Sequence, residues 1–188
     1  ALGADENSPA IYGRTKKAGE EAVRLAYPEV TIFRPSVIFG PEDNFFNKFA
    51  GMARMLPVLP VMGAPLFPKI TLSDKFGISM DWFGTGGCRF QPVYVDDVAQ
   101  AMFYAIGDRI TRGEIYELGG PQIYSFKELM ELVLTVTERK NFLMPIPSIL
   151  ASFQALFFQF LPTPLLTPDQ LALMQRDNVV TSDAKGFE

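Results

Sequence analysis

Tyr12 and Lys16 are the residues of this chain whose types and spacing are suited to acid–base chemistry. They stand four positions apart at the start of a predicted helix, so both side chains project from the same helix face. An ammonium group beside a phenol favours the phenolate form. The pair is therefore a candidate proton donor, and a surface tyrosine beside a surface lysine is the alternative that so short a pattern leaves open.

The composition excludes several other chemistries. The chain has no histidine and a single cysteine, Cys88, so it can form neither a histidine-dependent catalytic triad nor a His/Cys zinc site, and no metal site is predicted. Its 17 basic and 21 acidic residues give a net charge of -4, which provides no concentrated positive field for nucleic acid. With 48% hydrophobic residues, the chain is expected to fold around a substantial core.

Helices and strands are predicted to alternate along the chain. Ser125 and Glu128 have the spacing of a capping box, and Asp96 or Asp97 is the predicted cap of an earlier helix. The predicted elements, in chain order, are a helix over 12–26, a strand over 30–33, a helix over 44–56, an extended segment over 91–95, a helix from 96, a strand over 114–118 and a helix from 125. Such alternation predicts an α/β fold with a parallel sheet flanked by helices.

Two segments depart from this alternation. Residues 57–88 are rich in proline and glycine and are predicted to form a long loop insertion. Residues 148–161 are predicted to form a helix that is apolar over most of its surface and too short to span a bilayer. This second segment either packs into the core of its own domain or docks a hydrophobic partner, and the sequence leaves both interpretations open.

Three segments in the same order resemble the extended short-chain dehydrogenase/reductase family. They are SPAIYGRTKKAGE at 8–20, RPSVIFGP at 34–41 and VYVDDVA at 93–99. The resemblance implies that Tyr12 and Lys16 are catalytic and contact the cofactor. It also implies that the backbone from Pro35 through Ser36 and Val37 to Ile38 touches the nicotinamide.

Further segments are similar to the atypical branch of this family that includes the NADPH-binding accessory subunits of respiratory complex I and their bacterial relatives. These segments lie at 42–47, 90–95 and 116–121. The resemblance implies the C-terminal part of a Rossmann-type, doubly wound parallel sheet over residues 1–140, followed by a small, mostly helical region over 141–188. The candidate residues of a substrate pocket are Phe45, Phe46, Asn47, Phe90 and Gln91.

Two functions are compatible with this resemblance. The first is a cofactor-holding subunit or assembly partner of a respiratory NADH:quinone oxidoreductase. The alternative is an active NAD(P)-dependent oxidoreductase or epimerase/dehydratase, in which Tyr12 exchanges a proton with the substrate. Phe90 stands where nucleotide-sugar enzymes of the family carry a phosphate-binding arginine, so a nucleotide sugar is not the expected substrate.

The expected cofactor is NADP or NAD. No Gly-x-Gly-x-x-Gly turn occurs in the sequence, and such a turn lets the backbone approach a pyrophosphate. We therefore expect binding only by an intact protein with an additional N-terminal half. If residues 148–161 dock a hydrophobic partner rather than pack into their own core, the expected partners are membrane-bound subunits of the respiratory complex. The expected location is cytoplasmic, at the periphery of the inner membrane, and on the matrix side in a eukaryote.

Overall fold

Helices and strands alternate along the chain in the computed structural model, which describes residues 1–73, 77–147 and 168–186. The helices are α1 (Ile11–Ala26), α2 (Phe46–Met55), α3 (Val95–Gly107), α4 (Phe126–Val136) and α5 (Pro168–Leu173). The strands are β1 (Ile32–Pro35), β2 (Ile38–Phe39), β3 (Val58–Ala64), β4 (Lys69–Ser73), β5 (Gly77–Asp81), β6 (Arg89–Phe90), β7 (Val93–Tyr94), β8 (Ile115–Leu118), β9 (Tyr124–Ser125) and β10 (Phe142–Pro147). Helices α1 to α4 lie where the sequence predicts them.

The chain divides into two compact units, each made of discontinuous segments. The first unit comprises Ala1–Asp43, Phe90–Ile123 and Asn178–Glu188. The second unit comprises Asn44–Arg89 and Tyr124–Asp177. The division of the intact protein into residues 1–140 and 141–188 stays a prediction.

Parallel strands organise the first unit. Strand β1 pairs with β8 in parallel, with Ile32 opposite Ile115, and β2 pairs with β7 in parallel. The ring of Phe33 stacks on Tyr116 at a centroid distance of 5.8 Å. The buried core of this unit combines residues of β7, β8 and α3, namely Val93, Val98, Ala101, Tyr116 and Leu118. The predicted α/β class with parallel strands is confirmed.

Strand β3 of the second unit lies inside the segment predicted as a long loop. It pairs in parallel with β10, although both strands contain prolines such as Pro60 and Pro145. In a parallel pair, a residue whose N–H points away from the partner can be replaced by proline without losing a ladder bond. Strands β4 and β5 pair with each other in antiparallel orientation in the same segment. The loop prediction for residues 57–88 is therefore wrong over these strands.

The core of the second unit packs α2 and α4 against β3. Phe126 lies edge-to-face with Phe49 at a centroid distance of 5.6 Å. The largest fully buried side chains of the whole described chain all lie here and are Phe126, Leu59, Leu129, Met130 and Val61. Two helices and a strand thus share one apolar interior, and this packing holds α2, α4 and β3 together.

The two predicted helix caps had different outcomes. Ser125 caps α4 as predicted, since its side chain accepts from the Glu128 amide while the Glu128 carboxylate accepts from Ser125. The cap of α3 is Tyr94, which makes no side-chain cap hydrogen bond, so the prediction of an aspartate cap is wrong. Asp96 and Asp97 lie inside the first turn of α3, where negative charge interacts favourably with the helix dipole.

The predicted apolar helix over 148–161 lies outside the described residues. Among the residues that the structure describes, no helix is long and apolar enough to cross a membrane.

Candidate functional site

The structure places Tyr12 and Lys16 together in the first turns of α1. The Lys16 ammonium nitrogen lies 5.3 Å from the centroid of the Tyr12 ring, which is a cation–π contact. The Tyr12 residue is 42% exposed, so the pair is open to a ligand. Its arrangement follows from the i,i+4 spacing, because side chains four residues apart are neighbours on a helix surface.

A tight loop fixes the position at which α1 begins. Ser8 is buried, and the Arg14 guanidinium donates hydrogen bonds to the backbone oxygens of Ser8 and Pro9, at 2.6 and 3.1 Å. A side chain at Gly13 would overlap Ser8. The loop therefore packs tightly against the start of the helix. Ser8 contributes to this packing.

Arg34 ties α1 to the sheet of the first unit. Its Nη2 and Nε atoms donate to the Glu20 carboxylate at 2.6 and 3.0 Å, and its Nη1 lies 3.8 Å from Glu117 Oε1. The hydrogen bond to Glu20 raises the pKa of Arg34 above its ordinary value. Because Glu20 stands one turn after Lys16 on the same helix, the Arg34 contact sets the rotation of the face that carries Tyr12 and Lys16.

Hydrogen bonds on several sides hold the strand-end segment after β1. The Ser36 amide donates to the Leu118 oxygen at 2.8 Å, and the Val37 oxygen accepts from the Val93 amide at 3.0 Å. Ser36 is buried, and its hydroxyl lies 2.7 Å from Asn178 Oδ1. Ile38 follows in β2, where the residue is 36% exposed. The backbone at this strand end is thus fixed while the side chain beyond it reaches the surface.

The side chain of Gln91 bridges two backbone segments. Its Nε2 donates to the Gly120 oxygen at 2.8 Å, and its Oε1 accepts from the Val180 amide at 3.0 Å. A Cβ at Gly119 would lie 2.5 Å from Gln91 Cδ, and one at Gly120 would overlap the Pro92 oxygen. Gly120 is therefore required by its close approach to the backbone, and a side chain at Gly119 would displace the Gln91 side chain. A role of Gln91 in a substrate pocket stays a prediction, as does that of Phe90, which is buried at 8% exposure.

The remaining pocket candidates belong to the second unit. Phe45 precedes α2, and Phe46 and Asn47 lie in its first turn. The Phe45 ring makes edge contacts with Phe46 at 5.0 Å and with Phe49 at 5.2 Å. Phe45 and Phe46 are half-buried and Asn47 is exposed, so the aromatic contacts lie at the edge of the core, and a ligand-binding role for the three residues stays a prediction.

Other groups able to do chemistry are few. Burial, together with the Asp177 carboxylate, raises the pKa of the Cys88 thiol to about 12, so this thiol is protonated at neutral pH. The described residues contain no cluster of His, Cys, Asp or Glu that could hold a metal ion. Asn178 was not among the predicted site residues, and its side chain contacts Ser36, which lies 142 positions away in the sequence.

Comparison with known proteins identifies relatives of this architecture. Residues 3–62 match the RmlD substrate binding domain family. The chain is 32% identical, over all of its length, to NADH dehydrogenase (ubiquinone) 1 alpha subcomplex subunit 9 of Arabidopsis thaliana, and covers 44% of that protein. It is 28% identical over 98% of its length to the NADH-ubiquinone oxidoreductase 40 kDa subunit of Neurospora crassa, covering 43%.

The fold is similar to that of a reductase of known structure. The dTDP-4-dehydrorhamnose reductase from Bacillus anthracis, solved in complex with NADP, superposes with a TM-score of 0.55 at 17% identity. The match covers 73% of this chain and 40% of that one. The predicted resemblance to Rossmann-type reductases and epimerases is confirmed at the level of the fold. The chain spans less than half of the length of the curated relatives that it matches.

Proposed function

Because this chain is homologous over its whole sequence to a subunit of mitochondrial NADH dehydrogenase, we propose that it forms part of a cofactor-holding subunit, or an assembly partner, of a respiratory NADH:quinone oxidoreductase. The observation that carries the proposal is the 32% identity along the entire chain. A match of this extent includes both units of the structure and is not confined to the Tyr12–Lys16 helix.

The residues at the start of α1 fit a nicotinamide dinucleotide. The Tyr12 hydroxyl and the Lys16 ammonium are neighbouring hydrogen-bonding groups on a partly exposed surface, and they are suited to the hydroxyls of a ribose. The backbone of Pro35, Ser36, Val37 and Ile38 would lie against the nicotinamide. A bound nicotinamide cofactor supplies hydride chemistry. The pyrophosphate would be bound by residues outside this sequence, which has no glycine-rich turn of the required spacing.

An active NAD(P)-dependent oxidoreductase or epimerase/dehydratase is the second candidate. The observation that favours it is the retained Tyr12–Lys16 pair, with the tyrosine accessible from solvent. In that function the Tyr12 hydroxyl would exchange a proton with an oxygen of the substrate, and Lys16 would stabilise the negative charge left on the phenol. The first candidate requires only that the pair holds the cofactor.

The location and the partners follow from the first candidate. A subunit of a respiratory complex would lie at the periphery of the inner membrane, on the cytoplasmic side in a bacterium and on the matrix side in a mitochondrion. Contact with membrane-bound subunits through residues 148–161 is part of the same proposal. Its support is the apolar sequence of that segment, for which a hydrophobic partner would provide cover.

Titration of the intact protein with NADPH, followed by cofactor fluorescence, tests the cofactor site. Lys16→Ala should weaken binding about tenfold by removing one charged hydrogen bond, and Tyr12→Phe should weaken it by a smaller factor, because the hydrogen bond that it removes is a neutral one. The matched control is Lys17→Ala, since Lys17 is the adjacent lysine and pairs with Glu21 at 3.1 Å. Equal affinities of the Lys16 and Lys17 variants would contradict the site.

The same variants separate the two candidate functions. If the intact protein turns over a substrate, and Tyr12→Phe abolishes this turnover while the variant still binds NADPH, the protein is an active enzyme. If NADPH binds and Tyr12→Phe leaves assembly of the respiratory complex unchanged, the cofactor-holding function is supported.

A further inference from the structure

The C-terminal segment, residues 178–185, lies along the first unit and joins several of its strands. Asn178 forms a parallel bridge with Phe90, and Lys185 forms one with Tyr116. The Glu117 amide donates to the Lys185 oxygen at 3.2 Å. Residues from the end of the sequence thus contact both β6 and β8 through their backbones.

Asn178 makes the contacts of this segment that reach the strand end after β1. Its Oδ1 accepts from the Ser36 hydroxyl at 2.7 Å and from the Val37 amide at 3.1 Å. Its backbone oxygen accepts from the Gln91 amide at 3.1 Å. A single side-chain oxygen therefore receives two donors from adjacent residues of one short segment, which restricts the backbone between them.

Gln91 supports this arrangement from the other side. Its amide lies 3.3 Å from the Ser36 hydroxyl oxygen, and its side-chain oxygen accepts from the Val180 amide at 3.0 Å. The strand end, the Gln91 segment and the C-terminal segment are thereby joined in one hydrogen-bonded network. Ser36, at the centre of that network, is only 5% exposed, so water cannot readily replace the partners that a substitution removes.

We propose that Asn178 is a positioning residue, which holds the Ser36–Val37 backbone in the conformation that receives the nicotinamide end of the cofactor. The inference rests on the proposed function, because that function places the cofactor at this segment. Loss of the Asn178 side chain removes the acceptor of the Val37 amide and leaves the Ser36 hydroxyl only the Asn178 backbone oxygen, at 2.9 Å. The segment then samples other conformations, and cofactor binding must select the competent one, which lowers the apparent affinity.

The test uses the intact protein with the substitutions Asn178→Ala and Asn178→Asp. The alanine variant removes the accepting oxygen, whereas an aspartate keeps it. Two quantities are measured well below the melting temperature: the hydrogen-exchange rate of the Val37 amide without ligand, and the dissociation constant for NADPH. We expect Asn178→Ala to accelerate exchange and weaken NADPH binding, each on the order of tenfold. In Asn178→Asp, the exchange rate of the Val37 amide and the affinity for NADPH should both stay close to those of the wild type.

Thr181→Val is the matched control. Thr181 belongs to the same segment and donates from its hydroxyl to Glu117 Oε2 at 3.1 Å, and the structure shows no hydrogen bond from it to Ser36 or Val37. This variant should leave exchange and affinity within about twofold of the wild type, even where it lowers the melting temperature. If Asn178→Ala does not fold, Ser36→Ala removes the hydroxyl alone and is expected to weaken NADPH binding by a smaller factor.

The outcomes separate this inference from the function on which it rests. Normal NADPH affinity in Asn178→Ala, or in Ser36→Ala if only that variant folds, would overturn the positioning role while leaving cofactor binding intact. An equal loss of affinity in Thr181→Val would also overturn it, because the effect would then be one of general stability. Absence of NADPH binding by the wild-type protein would instead refute the proposed function, and the inference with it.

Discussion

Replacement of Arg34 by methionine should be among the most destabilising substitutions of a charged residue in the first unit. Arg34 contacts Glu20 of α1 and Glu117 of β8, and its own side chain is 18% exposed. Each of the two glutamates is 11% exposed. Methionine has a similar length, so it keeps much of the packing while removing the charge and its donors. The variant leaves two poorly hydrated carboxylates without the cation that they share.

The expected loss follows from this burial. Removing one partner of a buried ion pair costs about 3–5 kcal/mol, because the remaining charge stays desolvated. Residual hydration of the three side chains favours the lower end, about 3 kcal/mol. An exposed pair offers the contrast: Arg112 lies 3.2 Å from Glu29, with side chains 51% and 58% exposed. Arg112→Met should cost less than about 1 kcal/mol.

Urea denaturation of the intact protein, followed by circular dichroism, measures both losses. The double variant Arg34→Met with Glu20→Gln should recover part of the loss, because it removes one of the uncompensated carboxylates. The free energy of unfolding is compared among the wild type, the two single variants at Arg34 and Glu20, and the double variant. Equal destabilisation by Arg34→Met and Arg112→Met would refute the assignment of Arg34 as the tie between α1 and the sheet.

Three further predictions concern other parts of the chain. Burial raises the pKa of the Cys88 thiol from an ordinary 9.0 to about 12, so alkylation by iodoacetamide at pH 8, measured by mass spectrometry, should be on the order of a thousandfold slower than in urea. Because the pKa is higher in the folded state, the free energy of unfolding should fall as the pH rises above about 9. Gly120→Ala should cost more than about 2 kcal/mol, since its Cβ would overlap the Pro92 oxygen; a neutral effect on the melting temperature would contradict this close approach. Ser125→Ala should cost about 1 kcal/mol and, in an NMR titration, raise the Glu128 pKa only part of the way to its ordinary value, because the Ser125 amide, the larger cause of the lowering, still donates to Glu128 after the hydroxyl is lost; an unchanged pKa would show that the hydroxyl does not contribute.

Sequence reasoning succeeded where the signal is local. The capping box at Ser125 depends on residues three positions apart, and the Tyr12–Lys16 contact depends on one helical turn. Both were predicted because the backbone geometry of a helix alone brings such residues together. Strands β1 and β8 were also predicted within a few residues from their β-branched and aromatic composition.

The failures concern pairings between distant segments. Strand β3 contains Pro60 and Gly63 and has the composition of a loop, and it becomes a strand because β10 pairs with it more than 80 positions later. Likewise, nothing near Asn178 in the sequence indicates that its side chain accepts from Ser36, 142 positions away. Tertiary contacts override local propensity at such positions, so the hydrogen bond between Asn178 and Ser36 was found only in the structure.

The central claim is tested most directly by purifying the intact protein, through an affinity tag, from cells that contain the respiratory NADH dehydrogenase. The nucleotide content and the subunit composition of the tagged material are measured together by mass spectrometry. The proposed function predicts that the protein co-purifies with NADH dehydrogenase subunits in a fixed ratio and carries bound NADP(H) or NAD(H). Recovery of the protein free of those subunits and free of nucleotide would contradict it.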